Sequence, residues 1–349
     1  METKVGVLSA GAWGTAIGKV LAEKGYKVTL WDYMKNVVEE INHSHTNSRY
    51  LLGVTLPPAL AASEDMNHAL DSDYLLVSTP SLYLLEIVKK LIKNPKIQEG
   101  NIPIGVLTKG FLPTKKGPRL ILEVMEDYLP GFYKDNLVYI SGPSHAEEVA
   151  RGRLTGLIAA SKNGKNAIKF RELLSGNALM VFSSFDTIGV QTSAAYKNVV
   201  AIAFGMLDAL GEFTESLGTN TESLLLAAGL NEIQSLGMAL GSTYPETFTS
   251  IAGVGDLDVT CRSIYGRNRK FGREIITDRV LDRYRNIDDL IANIASVGYL
   301  PEGVMAAKWA WEIAQRINAK LPIGSTVYRI LNRETEPSLA IPAILAAQQ

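Results

Sequence analysis

The sequence predicts an α/β protein: a doubly wound, mostly parallel sheet followed by an all-helical domain. Three observations carry this reading. In the first part of the chain, short apolar runs alternate with stretches of helical periodicity, the pattern of strand–helix–strand units. The opening segment "KVGVLSAGAWGTAIGKVLAEKGYKVTLWD" reads as strand, glycine turn, helix and second strand. From about Gln191 the strand-like runs vanish, and stretches such as "LNEIQSLGMAL" and "VMAAKWAWEIAQRI" replace them. Two domains are therefore expected, residues 1–190 and 191–349. No Pro/Gly/Ser linker separates them, so a tight packing with the active site between them is expected.

The elements follow in order. Val5-Gly6-Val7-Leu8 is an apolar run suited to a buried parallel strand. From Thr15 to Lys24, Ala16, Ile17, Val20 and Leu21 fall at helical spacing, and Gly25 closes the helix before the strand Lys27–Trp31. Further strands are read at 73–79, 104–108, 137–140, 157–160 and 180–182, with Pro80 opening a helix over about 82–92. Ligands of such sheets gather at the carboxyl ends of the strands, so the polar residues following them share one crevice.

Ser9-Ala10-Gly11-Ala12-Trp13-Gly14 stands where a dinucleotide-binding chain carries G-x-G-x-x-G, with serine at the first glycine. Gly11 lets backbone approach a pyrophosphate, Gly14 lets the helix pack on the strand, and the helix amides hold the anion. Serine is tolerated in the turn if its φ is negative. Asp32 ends the second strand about 20 residues on, placed to accept both adenosine ribose hydroxyls and to repel a 2′-phosphate. Tyr33 beside it offers no positive charge, and Lys35 is the one nearby cation. NAD is the expected cofactor, with NADP use depending on Lys35.

Composition narrows the class. With 46% hydrophobic and 20% charged residues the chain has a folded protein's balance, and a net charge of −1 gives no global attraction to nucleic acid or anionic membranes. Cys261 is the only cysteine, which excludes intramolecular disulfides and fits a reducing compartment. There is no signal-peptide pattern and no apolar run of membrane-spanning length. A cytoplasmic protein is expected. The four histidines form no ligand pattern with cysteine or carboxylate, so no metal site is expected, and Ser144-His145 lacks a nucleophile-elbow context.

Two lysines stand out. Lys109, in "VLTKGF", follows a strand, although a loop lysine would read the same way. Lys197, in "TSAAYKNVVAIAFGML", lies among small and apolar residues, where it is either snorkelling to the surface or a desolvated base. The stretch "GVGDLDVTCRSIYGRNRKFG" holds Asp256 and Asp258 before Arg262, Arg267, Arg269, Lys270 and Arg273. It is either a solvated basic loop or an anion pocket in which Arg267 and Asn268 grip a phosphate. Nucleic acid is disfavoured, since no aromatic residues are interleaved with these charges.

With these residues in view, the chain resembles the NAD(P)-dependent glycerol-3-phosphate dehydrogenases over nearly its whole length. The matching stretches are "GAWGTAIG", "LTKGF", "SGPSHAEEVARG", "YKNVVAIAFG", "AGVGDLDVTC", "GRNRKFG" and "PEGV", in the family's order. The resemblance implies a Rossmann-like first domain and a helical domain of the 6-phosphogluconate-dehydrogenase type. It implies reversible hydride transfer between NAD(P)H and C2 of dihydroxyacetone phosphate, giving sn-glycerol 3-phosphate for glycerophospholipid synthesis. By position it makes Lys197 the proton acceptor and Lys109 a contact to substrate and cofactor. Gly142, Ser144, Asp256, Gly266, Arg267 and Asn268 fall at the substrate. Ser9, Gly11, Ala12, Trp13, Gly14, Asp32, Tyr33, Ala146, Arg267, Leu300 and Glu302 fall at the cofactor. A homodimer is the expected assembly.

Four positions depart from the family pattern: Ser9 at the first glycine, Ala12 and Gly266 at serines, and Leu52 at the proline of a "YLPG" loop. The Gly266 change removes a substrate hydroxyl contact. Two other readings stay open. One is a related dehydrogenase acting on another small phosphorylated polyol or a hydroxy acid. The other is a non-catalytic dinucleotide sensor, which would have no use for a proton acceptor.

Overall fold

The structure, a computed structural model, describes residues 2–176, 178–263, 265–339 and 344. Two compact units divide the chain: residues 1–109 with 121–187, and residues 110–120 with 188–349.

The first unit is built on one eight-stranded sheet. Its strands are β1 (Lys4–Leu8), β2 (Lys27–Trp31), β3 (Leu60–Ser63), β4 (Tyr74–Val77), β5 (Ile104–Val106), β8 (Val138–Ser141), β9 (Thr155–Ala160) and β10 (Leu179–Ser184). Their order is β10-β9-β8-β5-β4-β1-β2-β3. Every neighbouring pair is parallel except β8 and β9, so the mostly parallel expectation holds. The sheet grows one way through β2 and β3 and the other way through β4, β5 and β8. The crevice between β1 and β4 is thus a topological switch point, where open sheets of this kind bind ligands. Val5, Val7, Leu30, Leu76 and Val138 are all buried, which explains why these strands are apolar runs with little alternation. The read strands all exist, with ends shifted by at most two residues. β3, with the sequence LAAS, is not among the expected strands; a four-residue run with one large apolar side chain shows no periodicity.

The helix after β1 spans Ala12–Glu23, beginning three residues before the apolar periodicity does. Ala12 and Trp13 lie in its first turn, partly buried at the edge of the core. Ser9 differs from expectation: its φ is +90°, not negative. The turn is held there from three sides. Ser9 N donates to Trp31 O (2.9 Å), Ser78 Oγ donates to Ser9 O (3.2 Å), and Gly11 N reaches Ser9 Oγ (3.4 Å). A positive φ on a residue with a Cβ is strained, and these bonds hold it in place.

The second unit opens with a hairpin, β6 (Phe111–Leu112) and β7 (Arg119–Leu120), antiparallel. Arg316 fastens its turn by donating to Lys116 O (3.1 Å) and Pro118 O (2.9 Å). Phe111 and Leu120 enter the same core as the helices. At the centre runs a 25-residue helix, Thr187–Gly211, buried on nearly all sides from Val190 to Leu207. Around it lie the helices Thr219–Ala239, Asp256–Arg262, Arg267–Thr277, Glu302–Ile317 and Pro322–Leu331. The Arg267–Thr277 helix crosses it at Gly205 and Gly272. A Cβ at Gly205 would lie 1.9 Å from Arg269 O, and one at Gly272 would lie 2.1 Å from Ile202 O. Among the described residues no helix is long and apolar enough to cross a membrane.

Glu232 closes this core from the Thr219–Ala239 helix. Its carboxylate caps the Pro322–Leu331 helix by accepting from Ile323 N (2.6 Å) and Gly324 N (3.2 Å), and it also accepts from the Tyr196 hydroxyl. Burial pushes the carboxyl up to about 7 in spite of these three donors. As pH rises from the ordinary glutamate range, the unfolded carboxyl ionises first while the folded one keeps its proton. Stability contributed at this site is therefore highest at acid pH and falls until about pH 7. Chemical denaturation at several pH values should show that fall, on the order of 3 kcal/mol, flattened in Glu232→Gln. Equal slopes in the two proteins would contradict the assignment.

Candidate active site

On the first unit, the candidate residues cluster at the carboxyl ends of the strands. Asp32, at the end of β2, is 4% exposed, and its two oxygens accept from Ala10 N (2.9 Å) and Met34 N (3.0 Å). It therefore pins the glycine loop to β2. Each oxygen keeps a second lone pair for another donor, so these two backbone bonds are compatible with the expected contact to the ribose. Asn47 pins the loop from the other side, donating to Ala10 O and Thr15 Oγ1, both at 2.8 Å. Tyr33 is 74% exposed. Trp13 is partly buried against the core of the unit.

The loop fits a dinucleotide. A Cβ on Gly14 would lie 2.0 Å from Ser9 O, so this position accepts only glycine. A Cβ on Gly11 would meet nothing nearer than Ser9 Oγ at 3.6 Å, so the fold itself does not demand glycine there. Its lack of a side chain leaves the ground before the helix open. That helix has no side-chain cap and no acidic residue in its first turn, so its amides are available to an anion. Ala146 begins the short helix Ala146–Ala150, which packs on the Ala12–Glu23 helix.

Lys109, Gly142 and Ser144 are brought together. Lys109 follows β5, and Gly142 and Ser144 follow its neighbour β8. Lys109 Nζ donates to Gly142 O at 3.3 Å, and Ser144 Oγ donates to the same oxygen at 2.9 Å.

On the second unit, Lys197 is 5% exposed and Asp256 is fully buried. The ammonium does not snorkel. It bonds to Asp256 Oδ1 and donates to Thr260 Oγ1 at 2.8 Å. Thr260 spends its own proton on Asp256 O (2.6 Å), so toward Lys197 its oxygen acts as acceptor. A π-type helical turn, Ile251–Gly255, leads directly into Asp256. Burying an ammonium is tolerable only with such compensation.

The basic stretch sorts by partner. Arg262 pairs with Asp258 (2.8 Å) and Glu222 (3.3 Å), Arg269 with Asp208 (2.5 Å), Lys270 with Glu274 (3.6 Å) and Arg273 with Glu212 (2.5 Å). Arg267 is exposed and has no acidic partner among the described residues. It is the first residue of its helix, whose N-cap, Gly266, supplies no side-chain bond. Asn268 is buried: its amide donates to Asn198 Oδ1 (3.0 Å) and accepts from Gly303 N (2.8 Å). Gly303 follows Glu302, which opens the Glu302–Ile317 helix, and Leu300 lies partly buried just before it. Sequence reasoning missed Thr260, Asn198 and Asn47. Only Thr260 left a signal, one helical turn after Asp256.

Residues 4–167 match the profile for the N-terminus of NAD-dependent glycerol-3-phosphate dehydrogenase, and residues 186–342 match that for its C-terminus. The chain belongs to this dehydrogenase family. The glycerol-3-phosphate dehydrogenase [NAD(P)+] of Treponema denticola is 53% identical over 344 residues, covering 97% of this chain and 96% of its own. That of Enterococcus faecalis is 35% identical, covering 99% and 96%. The crystal structure of the glycerol-3-phosphate dehydrogenase from Coxiella burnetii superimposes with a TM-score of 0.84 at 32% identity, covering 99% of both chains. The sheet followed by helices is thus the architecture of glycerol-3-phosphate dehydrogenases.

Proposed function

We propose that the chain is an NAD(P)-dependent glycerol-3-phosphate dehydrogenase, interconverting dihydroxyacetone phosphate and sn-glycerol 3-phosphate, a precursor of glycerophospholipids. The observation that carries this reading is the buried Lys197 ammonium, held by Asp256 and Thr260 in a chain of this family. When bound, the reduced nicotinamide supplies the hydride to C2. Lys197 holds the proton at Nζ and gives it to the C2 oxygen as negative charge develops there. In the reverse direction its neutral amine takes the hydroxyl proton. Asp256 and Thr260 orient Nζ throughout. Arg267 and the amides opening its helix bind the phosphate, which fixes C2 in place and supplies the entropic part of catalysis. Asn268, tied to Asn198 and Gly303, sets the direction of that first turn. Lys109, Gly142 and Ser144 complete the substrate contacts, and Gly11, Ala12, Trp13, Ala146, Leu300 and Glu302 those to the cofactor.

Arg267→Ala should raise the KM for dihydroxyacetone phosphate by about 10–150-fold, the equivalent of about 1.5–3 kcal/mol for a charged hydrogen bond. An unchanged KM would make the stretch a solvated loop. Profiling the purified chain with dihydroxyacetone phosphate against other phosphorylated ketoses and 2-oxo acids separates this reading from a related dehydrogenase. A cytoplasmic homodimer is part of the same proposal. The single, buried cysteine fits a reducing compartment, and sedimentation of the purified protein tests the dimer.

A further inference from the structure

At the end of β2 the local sequence supplies one cation for a 2′-phosphate, Lys35, exposed and held only by a surface pair with Glu39 (3.6 Å). The fold brings a second from elsewhere. Arg49 is exposed, has no acidic partner among the described residues, and lies over the Tyr50 ring with its guanidinium carbon 5.5 Å from the centroid. The turn that carries it is held at both ends. Glu40 accepts from Thr46 Oγ1 (2.9 Å), Ser48 N (2.6 Å) and Ser48 Oγ (3.0 Å). Asn47, two residues before Arg49, bonds to Ala10 O and Thr15 Oγ1 of the glycine loop and its helix. The Tyr50 hydroxyl reaches Met34 Sδ at 3.5 Å, which sets the turn beside the residues that follow Asp32. Tyr33 registers the same neighbours: burial and the nearby Tyr50, Asp32 and Tyr83 push its phenol up, while Arg49 pulls it down.

Resting on the dehydrogenase reading above, we infer that Arg49 is the specificity-determining residue for the adenosine end of the cofactor, receiving the 2′-phosphate of NADP(H). The geometry has three parts. The Asp32 carboxylate already accepts from Ala10 N and Met34 N, so part of its negative charge is answered by backbone amides. The guanidinium makes a cation–π contact with the Tyr50 ring that leaves its planar fork of donors for a phosphate. The turn is fixed to the glycine loop, so the cation is positioned before the nucleotide arrives. Sequence spacing alone would place no arginine there.

The test compares wild type with Arg49→Gln. The ratio of kcat/KM for NADPH to that for NADH should fall about ten-fold or more at low salt, the loss of one charged hydrogen bond. A binding measurement needs no turnover: by calorimetry, 2′,5′-ADP should bind wild type more tightly than 5′-AMP does, and Arg49→Gln should abolish the difference. If both cofactors suffer equally and the ratio is unchanged, Arg49 merely supports Tyr50 and the inference falls. If the ratio survives with 2′,5′-ADP still preferred, another cation binds the phosphate and the inference falls while the dehydrogenase reading stands. A wild-type protein that binds neither nucleotide would overturn both.

Discussion

Replacing Lys197 by alanine is expected to lower the turnover of dihydroxyacetone phosphate by about 10²–10⁴-fold, the contribution of a positioned acid–base group. Affinity for the nicotinamide cofactor should change far less, because the glycine loop belongs to the other unit. The substitution also strands the buried Asp256 carboxylate, so lost activity could reflect lost folding. Lys197→Met combined with Asp256→Asn removes both charges together and should fold normally while remaining inactive. A single variant that keeps more than about a tenth of the wild-type rate would remove Lys197 from the chemistry.

Asp256→Ala should be the most destabilising change in the site. Asp256 is fully buried, and its loss leaves the Lys197 ammonium without its countercharge. Breaking a buried pair from one side costs about 3–5 kcal/mol, whereas replacing both partners by apolar residues is often neutral or stabilising. Lys197→Met with Asp256→Leu should therefore regain most of the stability that Asp256→Ala loses, and none of the activity. Denaturant unfolding measures the first and turnover the second. If Asp256→Ala unfolds at the wild-type midpoint, the pair does not compensate itself as described. Recovery of stability without activity would show that this pair serves the reaction more than the fold.

Much of this was legible in the sequence because it rests on local pattern. Apolar strands and the helix following the glycine turn need only periodicity, and the order of the motifs needs only the chain. Lys197 could be singled out because a charge among Ala, Val and Tyr is conspicuous. What stayed hidden depends on where side chains end up. The spacing of Asp32 gave its place at the end of β2, but spacing does not say that its oxygens also hold Ala10 N and Met34 N. Ser9 was expected at negative φ because serine prefers it; the bonds from Ser78 and to Trp31 that impose the opposite sign come from other strands. The β6–β7 hairpin has two residues per strand, too few to show alternation, and its register follows from packing into the helical core. Arg49 lies 17 residues beyond Asp32 in the chain, and only the turn held by Glu40 and Asn47 brings it there.

The central claim, that Lys197 and its partners reduce a phosphorylated ketone at the expense of a nicotinamide, has one direct measurement. Purified protein is given NADH or NADPH and then dihydroxyacetone phosphate, while cofactor absorbance and glycerol 3-phosphate are followed together. The account predicts that cofactor is oxidised only after the phosphate is added, that sn-glycerol 3-phosphate appears in equal amount, and that Lys197→Ala stops both. Cofactor that binds without being oxidised, or is oxidised by an unphosphorylated 2-oxo acid in preference to dihydroxyacetone phosphate, would contradict it.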